Sequence, residues 1–240
     1  MLQKHPMKSF EQFLSKFTNI KSDGFIKTMR GGNTGAGYTL EQKLGLTENC
    51  FSLPDFFAFL TELKTKRIKS NSLLTLLTDE TGWQLPQIDF IEQNGWDHSK
   101  HKGEKTVQAT ISTKINKRGF HLDVNDPDYL IVCKNGSSFM KWEWQPLCEH
   151  FISKFENLIV VDVVVKKQGD VEHFHYPSFN HYQNTSIDAF RNAIQSGKIY
   201  VDLRLYTQYN LNKGVRNRGT ALRIRHNNVC NLYNSKEYFN

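Results

Sequence analysis

The stretch PDFFAFLTELKTK, Pro54 to Lys66, decides how the chain is read. An apolar run, Phe56 to Leu60, is followed after Thr61 by Glu62-Leu63-Lys64. The run is apolar and rich in residues that favour extended chain, so it predicts a buried strand. In a strand alternate side chains share a face. Glu62 and Lys64 then point one way, and Leu63 enters the opposite layer. Asp55 lies upstream, where a turn or a strand crossing would bring it beside that face. Two carboxylates and one ammonium would converge. Hard carboxylate oxygens hold Mg²⁺, and a lysine beside them meets the attacking water or the charged phosphate; this is phosphodiesterase chemistry. Taken alone, such a triplet after an apolar run is common, and a solvated strand end is its ordinary meaning.

The rest of the chain supplies context. It has 240 residues, room for one large domain or two lobes sharing a core. Lys plus Arg number 31 against 24 Asp plus Glu, a formal charge of +7. A basic surplus points to nucleic acid or an anionic surface, although many basic proteins bind neither. The longest apolar run, Leu158 to Val165, contains Asp162 and is the size of a strand, so no membrane span is expected. The N-terminal MLQKHPMKSFEQF has no apolar signal core, which predicts a cytoplasmic protein. Cys50, Cys133, Cys148 and Cys230 are scattered without a CxxC pair. Buried free thiols are expected, not a zinc site or a disulfide framework.

Phe10, Phe13, Leu14 and Phe17 stand at helical spacing within residues 8 to 20. The glycine-rich GGNTGAGYTLEQKLG, Gly31 to Gly45, has the outline of a phosphate loop, but Tyr38 replaces the lysine such a loop needs. It reads as a lead-in to a helix starting near Thr39, carrying Glu41 and stopped by Gly45. Its amides hold a DNA phosphate or form a plain turn and cap; both readings stand. Lys66, Arg67 and Lys69 either meet a DNA backbone or form a solvated turn. Ser72 to Thr78 predicts a buried strand, and residues 79 to 104 read as irregular. Lys105 to Asp126 reads as a hairpin whose turn offers Lys114, Lys117 and Arg118 to phosphates, or carries charge only for solubility. Asn135-Gly136 predicts a further hairpin. Trp142 and Trp144 read as core. Residues 146 to 155 read as helix, and Leu158 to Lys166 as the central strand. His173, His175 and His181 read as a surface strand and loop. Ser186 to Ser196 reads as a helix, and Ile199 to Tyr206 alternates as a strand with Asp202 and Arg204 on one face.

GNTGAGYTLEQKLG, LPDFFAFLTELKTK and SLLTLLT together resemble the start of the MvaI/BcnI type II restriction endonucleases. The mismatch-repair nicking enzyme MutH is similar in the same region, including the gap between Asp55 and Glu62. That gap is longer than in MvaI and BcnI, which implies a small insertion. Tyr200 to Tyr206 and Gly219 to Ile224 resemble the DNA-recognition strands of that family. The family carries a histidine in the turn before the last strand; Val215 to Gly219 has none.

The resemblance implies an α/β, mixed-sheet core of the PD-(D/E)xK nuclease type, with two lobes forming a DNA-binding cleft. Residues 1–150 would be the catalytic lobe and 151–240 the DNA-recognition lobe. Asp55, Glu62 and the Leu63 carbonyl would bind Mg²⁺. Lys64 would orient or activate water, and Glu41 would assist through a second metal or by orienting Lys64. Asp202, Arg204 and Arg223 would read bases, an arginine suiting guanine and an aspartate accepting from cytosine N4. An Asp–Arg pair on one strand is otherwise a surface contact of little weight. Without the histidine, Arg216, Asn217 and Arg218 become candidate readers. The implied protein is a monomeric type II restriction endonuclease acting on double-stranded DNA, with a cognate methyltransferase as a possible partner. The alternatives are a MutH-like nicking enzyme and a catalytically inactive sequence-specific DNA-binding protein.

Overall fold

The computed structural model describes residues 7–46 and 53–240; Cys50 and the first six residues of the N-terminal segment lie outside them. Helix α1 (Phe10–Ser22) leads to β1 (Ile26–Lys27) and α2 (Gly35–Leu44). Next come β2 (Thr61–Arg67) and β3 (Leu74–Thr78), then α3 (Gln87–Asn94), β4 (Trp96–Asp97) and β5 (Lys105–Ile111). Strands β6 (Phe120–Asp123), β7 (Tyr129–Lys134) and β8 (Ser137–Glu143) precede α4 (Trp144–Phe155). Then follow β9 (Asn157–Gln168), β10 (Val171–His175), β11 (Phe179–Thr185) and α5 (Ile187–Gln195). The chain ends with β12 (Ile199–Thr207), β13 (Val215–Asn217), β14 (Ala221–Ile224) and β15 (Tyr233–Phe239). This is a mixed α/β fold.

The chain forms two compact units, and each is discontinuous. One comprises Met1–Ser72, Ile152–Ser186 and Cys230–Asn240; the other comprises Leu73–Phe151 and Ile187–Val229. The consecutive division at residue 150 is therefore corrected. The long strand β9 pairs in parallel with β2 and antiparallel with β10 and β11, which ties residues 157–168 to the first unit.

In the first unit the strand order is β1-β10-β9-β11-β15, with β2 on the free side of β9. Leu63, Ile159, Val161 and Val163 point into a core shared with Phe13, Phe17, Phe56 and Phe179. Rings of Phe13 and Phe17 meet Phe179 edge-on at 5.2 and 4.9 Å. Helix α1 presents those phenylalanines because its apolar positions recur every three to four residues, and Ser9 caps it by accepting from the Gln12 N–H. Each such ring contributes about 2 kcal/mol of burial.

His181 belongs to this interior, not to a surface strand. It is 5 % exposed, stacked on Phe10 at 4.4 Å, and its Nε2 has no hydrogen-bond partner among the described residues. Burial pushes its pKa down to about 4. Above the ordinary 6.5 both folded and unfolded forms are neutral. Between those values only the unfolded chain takes the proton, so stability falls as pH falls. The expected loss from this residue is about 3 kcal/mol by pH 4. Chemical denaturation of wild type and His181→Phe across pH 7 to about 4 measures it, as the difference in slope between the two proteins.

In the second unit one sheet runs β3-β14-β12-β5-β4, with β13 also on β12, and a smaller sheet runs β6-β7-β8. The arms of the expected hairpin over 105–126 meet only near its turn, where the Leu122 N–H donates to the Ser112 carbonyl and the Asn116 N–H to the Phe120 carbonyl. Strand β5 pairs with β12, β6 pairs with β7, and the intervening turn is closed by Asn116 Oδ1, which accepts from the Arg118 and Phe120 N–H groups. The Asn135-Gly136 hairpin does form, both residues having positive φ, at 50° and 85°. Residues 79–104, expected to be irregular, contain α3, which buries Phe90 and Ile91. Cys133 and Cys148 are buried and free, whereas Cys230 is exposed. Among the described residues no helix is long and apolar enough to cross a membrane.

Candidate active site

The apolar run Phe56 to Leu60 is not a strand. Phe57–Phe59 makes one 3-10 turn and Leu60 takes a left-handed φ of 50°, while Phe57 and Leu60 stay exposed. The run reverses the chain, so that Phe56 bridges back to Thr61. This reversal delivers Asp55 to the start of β2. Asp55 Oδ2 accepts from the Leu63 N–H at 3.0 Å, and the Asp55 N–H donates to Glu62 Oε2 at 3.3 Å. In an extended strand a residue's N–H and C=O share an edge, so the Leu63 carbonyl opens on the edge where Asp55 sits. The Leu63 side chain is buried in the opposite layer, as the alternation requires.

Lys64 Nζ donates to Glu62 Oε1. The structure adds a residue that sequence did not suggest: Lys154, in the last turn of α4, stands 3.6 Å from the same oxygen. No local pattern links residue 154 to residue 62; only the parallel pairing of β2 with β9, which follows α4 directly, brings them together. Glu62 is 1 % exposed. Burial raises its pKa; Lys64 and Lys154 oppose the rise and Asp55 adds to it. Burial works against the Lys64 ammonium, but the Glu62 and Asp55 carboxylates more than offset it and hold its pKa above the ordinary value. Lys64 is therefore charged.

Helix α2 begins at Gly35, four residues before the expected Thr39. Any Cβ at Gly35 would collide with the Arg30 carbonyl, so the first turn closes only over glycine. The helix stops at Gly45, in a left-handed conformation with φ 79°. Glu41 adds to the field that keeps Lys64 protonated, and its Oε1 lies 3.7 Å from the position a Cβ would take on Gly37. Arg67 is spent: it makes a bidentate pair with Glu172 at 2.7 and 2.8 Å, which is neither a solvated turn nor a free phosphate contact.

Among the described residues no three His, Cys, Asp or Glu side chains gather as a metal cage. Two carboxylates and a backbone carbonyl on one strand edge suit Mg²⁺ nevertheless. That ion keeps several waters and takes only one or two carboxylates from a protein.

The candidate base readers lie on the second unit. Along β12, Val201, Leu203 and Leu205 are buried, and Asp202, Arg204 and Tyr206 share the other face. Asp202 is 2 % exposed. Its Oδ1 accepts from Thr110 Oγ1 at 2.8 Å, and its Oδ2 from Arg204 Nε at 2.6 Å. Arg223 Nε stands 3.2 Å from Oδ2 without the direction of a hydrogen bond. Arg216, on β13, pairs with Tyr206 of β12, and the Arg218 guanidinium lies 5.4 Å from the Tyr206 ring centre. Asn217 is committed locally, donating to Thr220 Oγ1 and accepting from the Gly219 N–H. Arg118 stacks 3.6 Å over Trp96, whereas Lys114 and Lys117 are exposed in the preceding loop. His98 and His101, which sequence reading passed over, pack on Tyr206 at 5.3 and 5.6 Å.

The mixed α/β fold is of the restriction-endonuclease kind. The chain belongs to the MvaI/BcnI restriction endonuclease family, whose profile matches residues 14–233. It is thus a restriction endonuclease, a site-specific deoxyribonuclease. Its fold is similar to that of the restriction endonuclease MvaI–cognate DNA substrate complex, with 23% identity over 97% of this chain and 99% of that one, TM-score 0.77. It is also similar to restriction endonuclease MvaI in the absence of DNA, with 20% identity over 98% and 100%, TM-score 0.50. No curated protein matches the sequence.

Proposed function

We propose that this chain is a monomeric, Mg²⁺-dependent type II restriction endonuclease that hydrolyses phosphodiester bonds of double-stranded DNA at a short specific site. The observation that carries the proposal is the bond from the Leu63 N–H to Asp55, which fixes Asp55 beside the Glu62–Lys64 pair. Asp55, Glu62 and the Leu63 carbonyl would hold the ion. Bound Mg²⁺ supplies positive charge that acidifies water and offsets the charge of the phosphate. Lys64, kept protonated by its carboxylate neighbours, donates to the incoming water or to the oxyanion that develops on phosphorus. Glu41 and Lys154 set the field around Lys64 and Glu62.

In the second unit Arg204, Arg223, Arg216 and Arg218 meet the duplex from one sheet face, with Arg118, Lys114 and Lys117 meeting phosphates. Asp202 lies between Arg204 and Arg223, and Asn217 shapes the turn that carries Arg216 and Arg218. The first unit is then the catalytic lobe and the second the recognition lobe. A cytoplasmic enzyme of this kind works beside a methyltransferase that protects the host's own sites.

Purified protein with Mg²⁺ is expected to cut plasmid DNA into discrete fragments whose ends share one sequence, and a chelator is expected to stop it. Nicked circles that need a partner for further cutting would point to a MutH-like enzyme instead. Sequence-specific binding with no cleavage under any divalent ion would leave only a DNA-binding protein.

A further inference from the structure

Gln108 lies in the middle of β5, where the strand pairs with β12; β4 covers β5 only at Lys105 and Thr106. The register with β12 sets Gln108 opposite Arg204, and Thr110 opposite Asp202. Opposite residues in an antiparallel pair share a face, so Gln108 stands on the face that carries Asp202 and Arg204. The polar neighbours on that face are committed. Thr110 Oγ1 donates to Asp202, Thr106 Oγ1 donates to the Leu205 carbonyl at 2.8 Å, and Arg204 Nε donates to Asp202. Gln108 is exposed, and its carboxamide makes no hydrogen bond among the described residues.

The two neighbours differ in chemistry. Asp202 engages Arg204 through Nε, which leaves both terminal nitrogens as a donor fork, the pattern that fits guanine O6 and N7. A carboxamide presents one donor and one acceptor side by side, the pattern that fits adenine N6 and N7 in the major groove. Cross-strand neighbours are separated by about 5 Å, close to the base-pair rise of about 3.4 Å. Side chains so placed reach consecutive base pairs.

We propose that Gln108 is a specificity-determining residue that selects an A·T pair beside the G·C pair read by Arg204. This rests on the reading of the sheet face as the base-reading surface. The test is cleavage by wild type, Gln108→Ala and Arg204→Ala of a duplex library randomised at each position of the recognition site, with products sequenced. Gln108→Ala is expected to melt like wild type, to keep cutting, and to lose about 5- to 150-fold discrimination at one A·T position next to a guanine contact. If Arg204→Ala alters the profile and Gln108→Ala leaves it unchanged, Gln108 reads nothing and the proposal falls. A profile unchanged in both variants overturns the face itself, and the proposal with it.

Discussion

Lys64→Ala is expected to slow single-turnover DNA cleavage by about 10²- to 10³-fold, the usual cost of removing one donor that stabilises a developing oxyanion. Binding of duplex DNA without divalent ion should change little. Lys64 is one of two ammonium groups on a buried carboxylate, and the closer of the two. Asp55→Ala should abolish cutting as well, for a different reason. It removes one of the three proposed metal ligands and also leaves the Leu63 N–H on the open edge of β2 without its partner. Lys154→Met separates the roles. At 3.6 Å from Glu62 it shapes the charge without the short contact that Lys64 makes, so its loss should be roughly tenfold, below that of a direct oxyanion donor. Initial rates at saturating Mg²⁺ measure all three. A Lys64→Ala protein that cuts like wild type would place the chemistry elsewhere in the chain.

The parts of this site that were legible in sequence are those set by local periodicity. Alternation alone fixes that Glu62 and Lys64 share a side and that Leu63 is core. The approach of Asp55 depends on a reversal in which Leu60 adopts a conformation uncommon outside glycine, and an apolar run of five residues hides such a turn. The start of α2 was obscured for a related reason. Glycine disfavours helix interiors, yet at Gly35 the Arg30 carbonyl sits where a side chain would be. Lys154 was invisible because its approach is a tertiary consequence of β2 joining β9. The division into units was hidden for the same reason: β9 draws residues after 150 back to the first sheet. On the recognition face the alternation of β12 was plain. That Asp202 would be buried under two guanidinium groups was not, because strand register rather than sequence sets its neighbours.

That burial sets the second large expectation. Asp202→Ala should destabilise the second unit by about 3–5 kcal/mol, the cost of leaving a buried charge unpaired. The charge in question is Arg223, whose side chain is 16% exposed and whose pKa is lowered by burial, with Asp202 the carboxylate that opposes the fall. Arg204→Ala should cost far less in stability, since that side chain is 51% exposed and a pair of this kind is weak in solvent. Its effect should appear in DNA cleavage instead. The double variant Asp202→Ala with Arg223→Met separates these contributions, because it removes the stranded charge together with its partner. It should recover much of the stability and none of the specific cleavage. Thermal denaturation followed beside cleavage of a cognate duplex measures both. An Asp202→Ala protein that melts like wild type would mean that the carboxylate holds neither arginine, leaving direct contact with cytosine as its only task on this face.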